Sequence, residues 1–412
     1  MRQIKKLERQ DKHSFKHLSG VAYPGFNNEL IGRVFDLRLN SQDTRLYGLF
    51  EDERALGIFR YHDFQMNFHG EMIPVSGLGG VAVDMVDKKE KVCLEMIKEF
   101  HEISLSQGAV FATLYPFRLN FYRKMGYGYG PRMQQYGLKI KDFPTGDKSD
   151  CFWLEPKHDD EWLDFYNRYA NAHHGMMEKK YPDLKAQDEL GIPRKKRIGV
   201  RREGRLTASA TLKFVNIPKD NLFSYDLEIS EIFYEESSDL KSLCAFIRAQ
   251  EDQIENAIVI DFDEDLIYSL DNLNNPFDTS EIFGGAHVGQ KVGYGLMYRV
   301  LDLERFVNIL GKRDFNGANL SLVFNISDTM LEKNNRRFDL NLENGRISNT
   351  KSAQNSIEIK LDIADFSSLM MGSISLESLY RHQRADISEP KKTPATDAAL
   401  KPVEKPRCWT MF

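Results

Sequence analysis

Residues 76–97 run SGLGGVAVDMVDKKEKVCLEMI, a strand of small residues that passes straight into a helix. Apolar residues at helical spacing from Val92 to Ile103 predict the helix, and Gly108 supplies a stop. The first backbone N–H groups of a helix lack partners within it, so they suit phosphate oxygens, helped by the helix dipole. The stretch therefore predicts a strand–turn–helix unit that can receive a phosphate-bearing ligand.

Two further features accompany this unit. Gly77, Gly79 and Gly80 fall in the strand, where missing side chains let the backbone of a ligand approach closely. Downstream, FYRKMGYGYGP (121–131) predicts a short helix and a glycine–aromatic turn, which could place Tyr127 or Tyr129 beside the same cleft. Each feature alone is weak evidence, because a small-residue strand is more often a packing device and a turn tyrosine is more often structural.

The rest of the chain repeats this architecture once and then changes. After about Asp150 the sequence predicts another hairpin, strand, helix and strand, without obvious sequence identity to the first set. A third region, from about Gly295, predicts further strands and helices, and four of the 14 prolines fall in the last segment. This order indicates an α+β fold with a central sheet in each of the first two units. The predicted domains are 1–149, 150–294 and 295–384, followed by a Pro-rich tail at 385–412.

Composition restricts the class of protein. The 412 residues are 41 % apolar and 28 % charged, which is ordinary for globular proteins, and no apolar run approaches the roughly 18 residues of a membrane span. The four cysteines are scattered, which favours reduced thiols, and the N-terminus has no apolar signal core. A net charge of −5 implies no broad nucleic-acid surface. We therefore predict a cytoplasmic protein with no membrane span and no nucleic-acid partner.

The chain ends on PRCWTMF (406–412), which is unusual for a tail. Disordered tails stay polar, because an apolar tip gains nothing in water. The ending predicts that the tip docks, with Trp409 and Met411 anchored in an apolar groove.

Together, SGLGGVAV, FYRKMGYGYGP and the free terminal Phe resemble the enhanced intracellular survival (Eis) family of GNAT acetyltransferases. The resemblance covers essentially the whole chain. It implies two tandem GNAT-like mixed-sheet units, the second degenerate, then a sterol-carrier-like α+β domain and a tail that brings the C-terminus into the active site. It also implies an N-acetyltransferase that uses acetyl-CoA and acts on a primary amine, either an aminoglycoside-like polyamine or a lysine. Members assemble into homo-oligomers, hexamers among them, so we expect an oligomer.

The resemblance also assigns site residues. The acetyl-CoA backbone would pair with the strand at Val81, Ala82 and Val83. Tyr127 would be the general acid, and the α-carboxylate of Phe412 the general base. The remaining contacts would fall on the turn and helix start, then on the short helix: Lys88, Lys89, Glu90, Lys91, Val92, Cys93, Leu94, Tyr122 and Arg123.

One departure from the family motif favours a rival hypothesis. The pyrophosphate turn is usually Arg/Gln-x-x-Gly-x-Gly/Ala, but here it is KKEKVC, with Lys91 in place of the first glycine. A side chain there obstructs phosphate, although Lys88, Lys89 and Lys91 could compensate by charge. The rival is a non-catalytic GNAT-fold binding protein that has lost acetyl-CoA affinity, and a third possibility is an apolar-ligand carrier using the C-terminal domain. We predict no metal site, because His173 and His174 are adjacent on a helix and their side chains diverge.

Overall fold

A computed structural model describes residues 1–190, 192–216, 225–273, 275–348 and 356–412. The chain divides into two compact units. Unit one comprises Met1–Pro131, His173–Met177 and Gly295–Phe412, and unit two comprises Arg132–Ala172 and Glu178–Tyr294. The division between Tyr294 and Gly295 coincides with a predicted domain boundary, whereas the chain divides at 131/132 and not at 149/150, and no division falls at 384/385. The predicted domains stay predictions.

The N-terminal part of unit one alternates strands and helices. Its elements are β1 (Arg2–Lys6), α1 (Lys12–Ala22), α2 (Asn28–Leu39), β2 (Thr44–Glu51), β3 (Arg54–Phe68), β4 (Glu71–Val83), α3 (Val92–Ser106), β5 (Phe111–Leu114), α4 (Leu119–Arg123) and β6 (Gly128–Tyr129). The Asn27 side chain caps α2 by accepting from the Leu30 N–H. The predicted apolar stripe of α3 is buried, with Met96, Ile97 and Phe100 fully enclosed.

Unit two has its own sheet. Its elements are β7 (Arg132–Lys139), β8 (Cys151–Leu154), α5 (Asp159–Ala172), α6 (Tyr181–Glu189), β9 (Lys196–Arg202), β10 (Arg205–Asn216), β11 (Tyr225–Tyr234), α7 (Ser237–Arg248), β12 (Ile254–Asp261), β13 (Glu281–Phe283), β14 (Ala286–His287) and β15 (Gln290–Tyr294). The seven-stranded order is β15-β7-β12-β11-β10-β9-β8. The parallel pair β11 and β12, joined through α7, repeats the parallel pair β4 and β5, joined through α3.

The C-terminal part of unit one contributes to two sheets. Its elements are β16 (Met297–Val300), α8 (Leu303–Leu310), β17 (Leu320–Ser327), β18 (Arg336–Glu343), β19 (Arg346–Ile347), β20 (Ile357–Asp362), α9 (Ile363–Met370), α10 (Leu376–Arg381), β21 (Ala385–Ile387) and α11 (Thr393–Leu400). Strand β16 enters the N-terminal sheet, whose order is β1-β2-β3-β4-β5-β16-β6. The other five strands form the sheet β19-β18-β17-β20-β21.

The predicted tail contains regular structure before its free end. Strand β21 pairs antiparallel with β20, and α11 begins with Pro394 in its first turn, a position that proline tolerates. After α11, the described residues of the tail form neither helix nor strand.

Both units mix helices with mixed sheets, so the fold class is α+β, as predicted. Among the described residues, no helix is long and apolar enough to cross a membrane.

Candidate active site

Strand β4 is open on one side along its last residues. It pairs with β5 only from Val75 to Leu78, while its pairing with β3 continues to Val83 across a register shift. Residues 79–83 therefore have no partner on the β5 side among the described strands, which leaves backbone groups for a ligand. One of these groups is already in use, because the Tyr23 hydroxyl donates to the Val81 carbonyl at 3.0 Å. Val81 and Val83 are half-buried, and Ala82 is buried.

Two arginines hold the turn between β4 and α3. Arg54 makes a bidentate pair with Asp87, at 2.8 and 2.7 Å, and Arg2 donates to the Glu90 carbonyl at 2.9 Å. These bonds fix the backbone path into α3. The turn therefore has a defined backbone conformation, and the N-terminus of α3 lies at its end.

The lysines of this turn are exposed, and two have unusual backbone angles. Lys88, Lys89 and Lys91 all face solvent, as does Glu90. Lys89 has φ of 72° and Lys91 has φ of 62°, in the left-handed region that glycine adopts without strain. A lysine in that conformation costs about 1 kcal/mol. The backbone at Lys91 thus keeps the shape that a glycine would give it, but it carries a long cationic side chain.

Helix α3 begins at Val92, which is buried, followed by the half-buried Cys93 and Leu94. Burial raises the pKa of the Cys93 thiol to about 12. A thiol with that pKa stays protonated near pH 7, which does not favour a nucleophilic role for Cys93.

Tyr127 lies in the core. Its side chain is fully buried, and its hydroxyl is 2.9 Å from His101 Nε2 on α3. Burial raises the pKa of Tyr127 despite the nearby Arg299 guanidinium. Its hydroxyl is therefore already hydrogen-bonded inside the sheet–helix layer.

Tyr122 lies in the same apolar cluster. It is 3 % exposed, and Val81 of the open strand packs against the cluster that contains it. The pKa of Tyr122 is raised by burial first, and then by its neighbours Cys93 and Tyr23. Since Tyr23 bonds to Val81, Tyr122 lies on the side of this cluster that borders the open strand.

Arg123 is engaged in an ion cluster. Its Nη2 lies 2.6 Å from Asp365 Oδ1 and 3.6 Å from Asp362 Oδ2 at the start of α9, and Arg384 pairs with the same two carboxylates. Any contact between Arg123 and a cofactor phosphate would compete with this cluster, so the cofactor role of Arg123 stays a prediction.

The C-terminal residue lies on β4. The Phe412 ring packs against the rings of His62, Phe64 and Tyr115, with centroids 5.4, 5.0 and 5.5 Å away. A Cβ on Gly77 would lie 2.9 Å from this ring, and a Cβ on Gly79 would lie 3.3 Å from the carboxylate carbon of Phe412. Gly77 and Gly79 thus make room for the chain's own last residue.

The tail reaches this position through a series of contacts. The His174 N–H donates to Glu404, the Arg407 N–H donates to the His174 carbonyl, and the Tyr115 hydroxyl donates to the Thr410 carbonyl. Cys408 is fully buried, whereas Met411 is 74 % exposed. The prediction that Met411 anchors the tip is therefore wrong, because Met411 faces solvent, whereas the other predicted anchor, Trp409, is half-buried. Cys408 and the Phe412 ring are the further apolar contacts of the tip.

A family model for the acetyltransferase (GNAT) domain matches residues 3–130. This chain carries a GNAT acetyltransferase domain. A second model, for a sterol carrier protein domain, matches residues 306–409 of the C-terminal part. No curated protein matches the chain. The predicted GNAT domain and sterol-carrier-like domain are therefore confirmed, and we describe the protein as a GNAT-type acyltransferase.

Solved structures similar to this acyltransferase cover its full length. Eis1 from Mycobacterium abscessus is 15 % identical with a TM-score of 0.78, covering 100 % of both chains. A probable N-acyltransferase of unknown function from Enterococcus faecalis V583 is 20 % identical with a TM-score of 0.77, also over 100 % of both chains. A GCN5-related N-acetyltransferase from Anabaena variabilis is 14 % identical with a TM-score of 0.81 and the same coverage. At these identities the likeness shows a shared fold.

The predicted site residues of the GNAT domain fall on two faces of the sheet. Leu78 packs with Tyr122, Tyr127 and α3, whereas Phe412 packs with Phe64 and Tyr115 in a different cluster. Because neighbouring strand residues point to opposite faces, the tyrosines and the terminal carboxylate approach β4 from opposite sides. A reacting group in the open edge of β4 would lie between them.

The buried polar residues around these groups were not predicted. Arg299 on β16 donates through Nη1 to the Met125 carbonyl at 2.7 Å and through Nη2 to both carboxylate oxygens of Asp328, at 2.8 and 2.6 Å. A Cβ on Gly126 would lie 1.5 Å from the Arg299 guanidinium, which explains a glycine before Tyr127. The one available signal was an arginine inside the otherwise apolar run MYRVL, since a buried cation requires a partner. Among the described residues, no group of three or more His, Cys, Asp or Glu side chains is arranged for a metal.

Proposed function

We propose that this GNAT-type acyltransferase moves an acetyl group from acetyl-CoA to a primary amine. The observation that carries the proposal is the Phe412 carboxylate, which lies against Gly79 at the point where β4 loses its partner strand. A carboxylate beside an open donor strand is suited to accept a proton from an amine nucleophile. The acceptor remains either an aminoglycoside-like polyamine or a lysine amine.

The proposed reaction needs no enzyme nucleophile. The carboxylate takes the proton that the amine must lose, the amine forms a C–N bond with the acetyl carbon, and the C–S bond to CoA breaks. A tyrosine then protonates the leaving thiolate. The backbone at 81–83, the turn at Lys88–Lys91 and the start of α3 at Val92–Leu94 would hold acetyl-CoA, with Tyr122 and Arg123 nearby.

Two tyrosines compete for the role of acid, and their substitution separates them. The resemblance points to Tyr127, but the Tyr127 hydroxyl is already paired with His101, whereas Tyr122 belongs to the cluster against which Val81 of the open strand packs. We therefore expect Tyr122→Phe to lower kcat by about 10²-fold and Tyr127→Phe to lower it less, because a general acid contributes that much. Steady-state assays with thiol detection measure both, and a larger loss in Tyr127→Phe would return the role to Tyr127.

Acetyl-CoA binding tests the proposal most directly. Calorimetry on the full chain should show saturable binding, and a panel of polyamines and lysine peptides should then show CoA release. Absence of acetyl-CoA binding would contradict the enzyme and favour the non-catalytic GNAT-fold protein, for which Lys91 is the supporting observation.

Replacing Lys91 with glycine should tighten acetyl-CoA binding about tenfold, which is about 1.4 kcal/mol. The backbone already has the left-handed angle, so glycine removes a side chain from the phosphate path without changing the turn. Calorimetric titration of both proteins measures the change.

Lys88→Ala is the matched control, because Lys88 has an ordinary φ of −64° and the same charge. Weaker binding in both variants would show that the lysines act as phosphate ligands, and would contradict the obstruction argument for Lys91.

The cytoplasmic location and the homo-oligomer, a hexamer among the options, also stay predictions. Light scattering coupled to size exclusion tests the second of them.

A further inference from the structure

Three polar groups converge on one point above Gly79. A Cβ at that glycine would lie 3.1 Å from His62 Nε2, 3.3 Å from the carboxylate carbon of Phe412 and 3.4 Å from Arg60 Nη2. His62 and Arg60 come from β3, where they pair in register with Gly77 and Gly79. We call this space, bordered by His62, Arg60 and Phe412, the glycine niche.

His62 is buried, and one of its two ring nitrogens lacks a partner. The residue is 3 % exposed, and its ring stacks on Phe64 with centroids 5.6 Å apart. Nδ1 is 3.3 Å from the Thr44 hydroxyl, whereas Nε2 has no hydrogen-bond partner among the described residues. Buried polar atoms are normally hydrogen-bonded, so a partnerless nitrogen aimed at the niche calls for a functional explanation.

The surroundings determine what His62 can donate. Burial, followed by Arg60 and Arg38, holds the pKa of His62 well below its ordinary value, so the ring is neutral near pH 7. A neutral imidazole has one donor nitrogen and one acceptor nitrogen. If the Thr44 hydroxyl donates to Nδ1, the proton of the ring is on Nε2 and points into the niche.

Among the described ionisable groups near the niche, the Phe412 carboxylate is the one that can accept a hydrogen bond from His62 Nε2. Arg60 is buried, and burial lowers its pKa to about 10, which keeps it a cation at pH 7. Arg38 and Tyr23 lie close enough to Arg60 to affect its pKa, and the Tyr115 hydroxyl is directed to the Thr410 carbonyl. The Phe412 carboxylate is thus the anion that a donor at Nε2 can meet.

We propose that His62 is a positioning residue: its Nε2–H, which has no partner among the described residues, hydrogen-bonds to the neighbouring Phe412 carboxylate when the acceptor amine occupies the glycine niche, and so fixes the orientation of that carboxylate. The inference rests on the proposed function, in which that carboxylate is the base. A terminal carboxylate rotates freely, and only one of its lone pairs can face the acceptor amine productively. A donor at one oxygen, with Arg60 beside it, leaves the other oxygen to receive the proton.

Three variants test the proposal through kcat/KM as a function of pH. His62→Leu removes the donor, His62→Gln keeps an N–H, and Thr44→Val frees the ring to carry its proton on Nδ1. We expect His62→Leu to lower kcat about tenfold and to move the acid limb to higher pH, because the carboxylate loses a donor that favours its charged form. His62→Gln should recover part of both effects, Thr44→Val should show a smaller shift, and the KM for acetyl-CoA should stay unchanged.

An equal loss in His62→Leu and His62→Gln with the acid limb unmoved would overturn the proposal, because a packing role predicts that pattern. A KM for acetyl-CoA that rises with kcat unchanged would also overturn it. Circular dichroism and thermal unfolding identify any variant that fails to fold. If a His62 variant does not fold, Thr44→Val tests the proposal, because it keeps the imidazole ring in place.

A spectroscopic test does not need activity. In histidine-¹⁵N-labelled full-length protein, with the His62 signals assigned by comparison with His62→Gln, we expect a neutral ring protonated on Nε2 from pH 6 to 8. Converting the Phe412 carboxylate to an amide should shift the Nε2 signal. A ring protonated on Nδ1, or a signal that ignores the amide, overturns the inference whatever the assay shows; the expected spectra without transferase activity would fault the proposed function instead.

Discussion

Converting the Phe412 carboxylate to an amide should reduce acetyl transfer by about 10²–10⁴-fold, the range that a positioned general base contributes. The amide keeps the ring and its contacts with His62, Phe64 and Tyr115, so it removes only the charge and the basic oxygen. The protein can be prepared by intein ligation and assayed for CoA release. Acetyl-CoA binding should remain, since the donor contacts lie on β4 and α3.

Two companion variants separate the carboxylate from its ring. Phe412→Ala keeps a terminal carboxylate but loses the aromatic anchor, so its loss should be intermediate. Met411→Ala changes a side chain that is 74 % exposed, and it should behave like the wild type. Full activity of the amide would show that the base lies elsewhere, and equal losses in the amide and Phe412→Ala would show that the tail only seals the site.

The local elements of the fold were predictable because their signals are local. The apolar spacing from Val92 to Ile103 predicted α3, which the structure places at Val92–Ser106. Strand β1 was missed, because a polar edge strand shows no apolar alternation. The insertion of β16 between β5 and β6 could not be predicted, since MYRV carries no information about a partner more than 160 residues earlier.

The parts of the site that depend on local backbone features were predictable, but the parts that depend on residues distant in sequence coming together were not. The glycines and the aromatic terminus pointed to a close approach at β4, although a ligand was expected where the Phe412 ring lies. His62 and Thr44 lie in an ordinary alternating hairpin, and neither residue signals a site until β3 faces the C-terminus. The spacing of residues 62, 79 and 412 along the sequence does not indicate that they lie together in the fold.

Removing Arg299 should destabilise unit one by about 3–5 kcal/mol, the usual cost of leaving one partner of a buried ion pair alone. Arg299 and Asp328 both have fully buried side chains. Burial alone would raise the pKa of Asp328, but Arg299 and several N–H donors outweigh it and hold that pKa below its ordinary value. In Arg299→Met the carboxylate has lost its cation, and urea-induced unfolding of the full chain should begin at a lower denaturant concentration.

The double variant Arg299→Met, Asp328→Asn decides whether the lone charge causes the loss. An amide at residue 328 needs no cation, so the double variant should recover much of the stability that Arg299→Met loses. Because folding lowers the pKa of Asp328, its contribution is present above pH of about 4 and is lost as the pH falls through the folded pKa. The difference in stability between wild type and double variant should therefore shrink in acid.

Activity should recover less than stability, because neither variant restores the bond from Arg299 to the Met125 carbonyl that holds the turn before Tyr127. Equal recovery of both would show that the ion pair supports the fold alone.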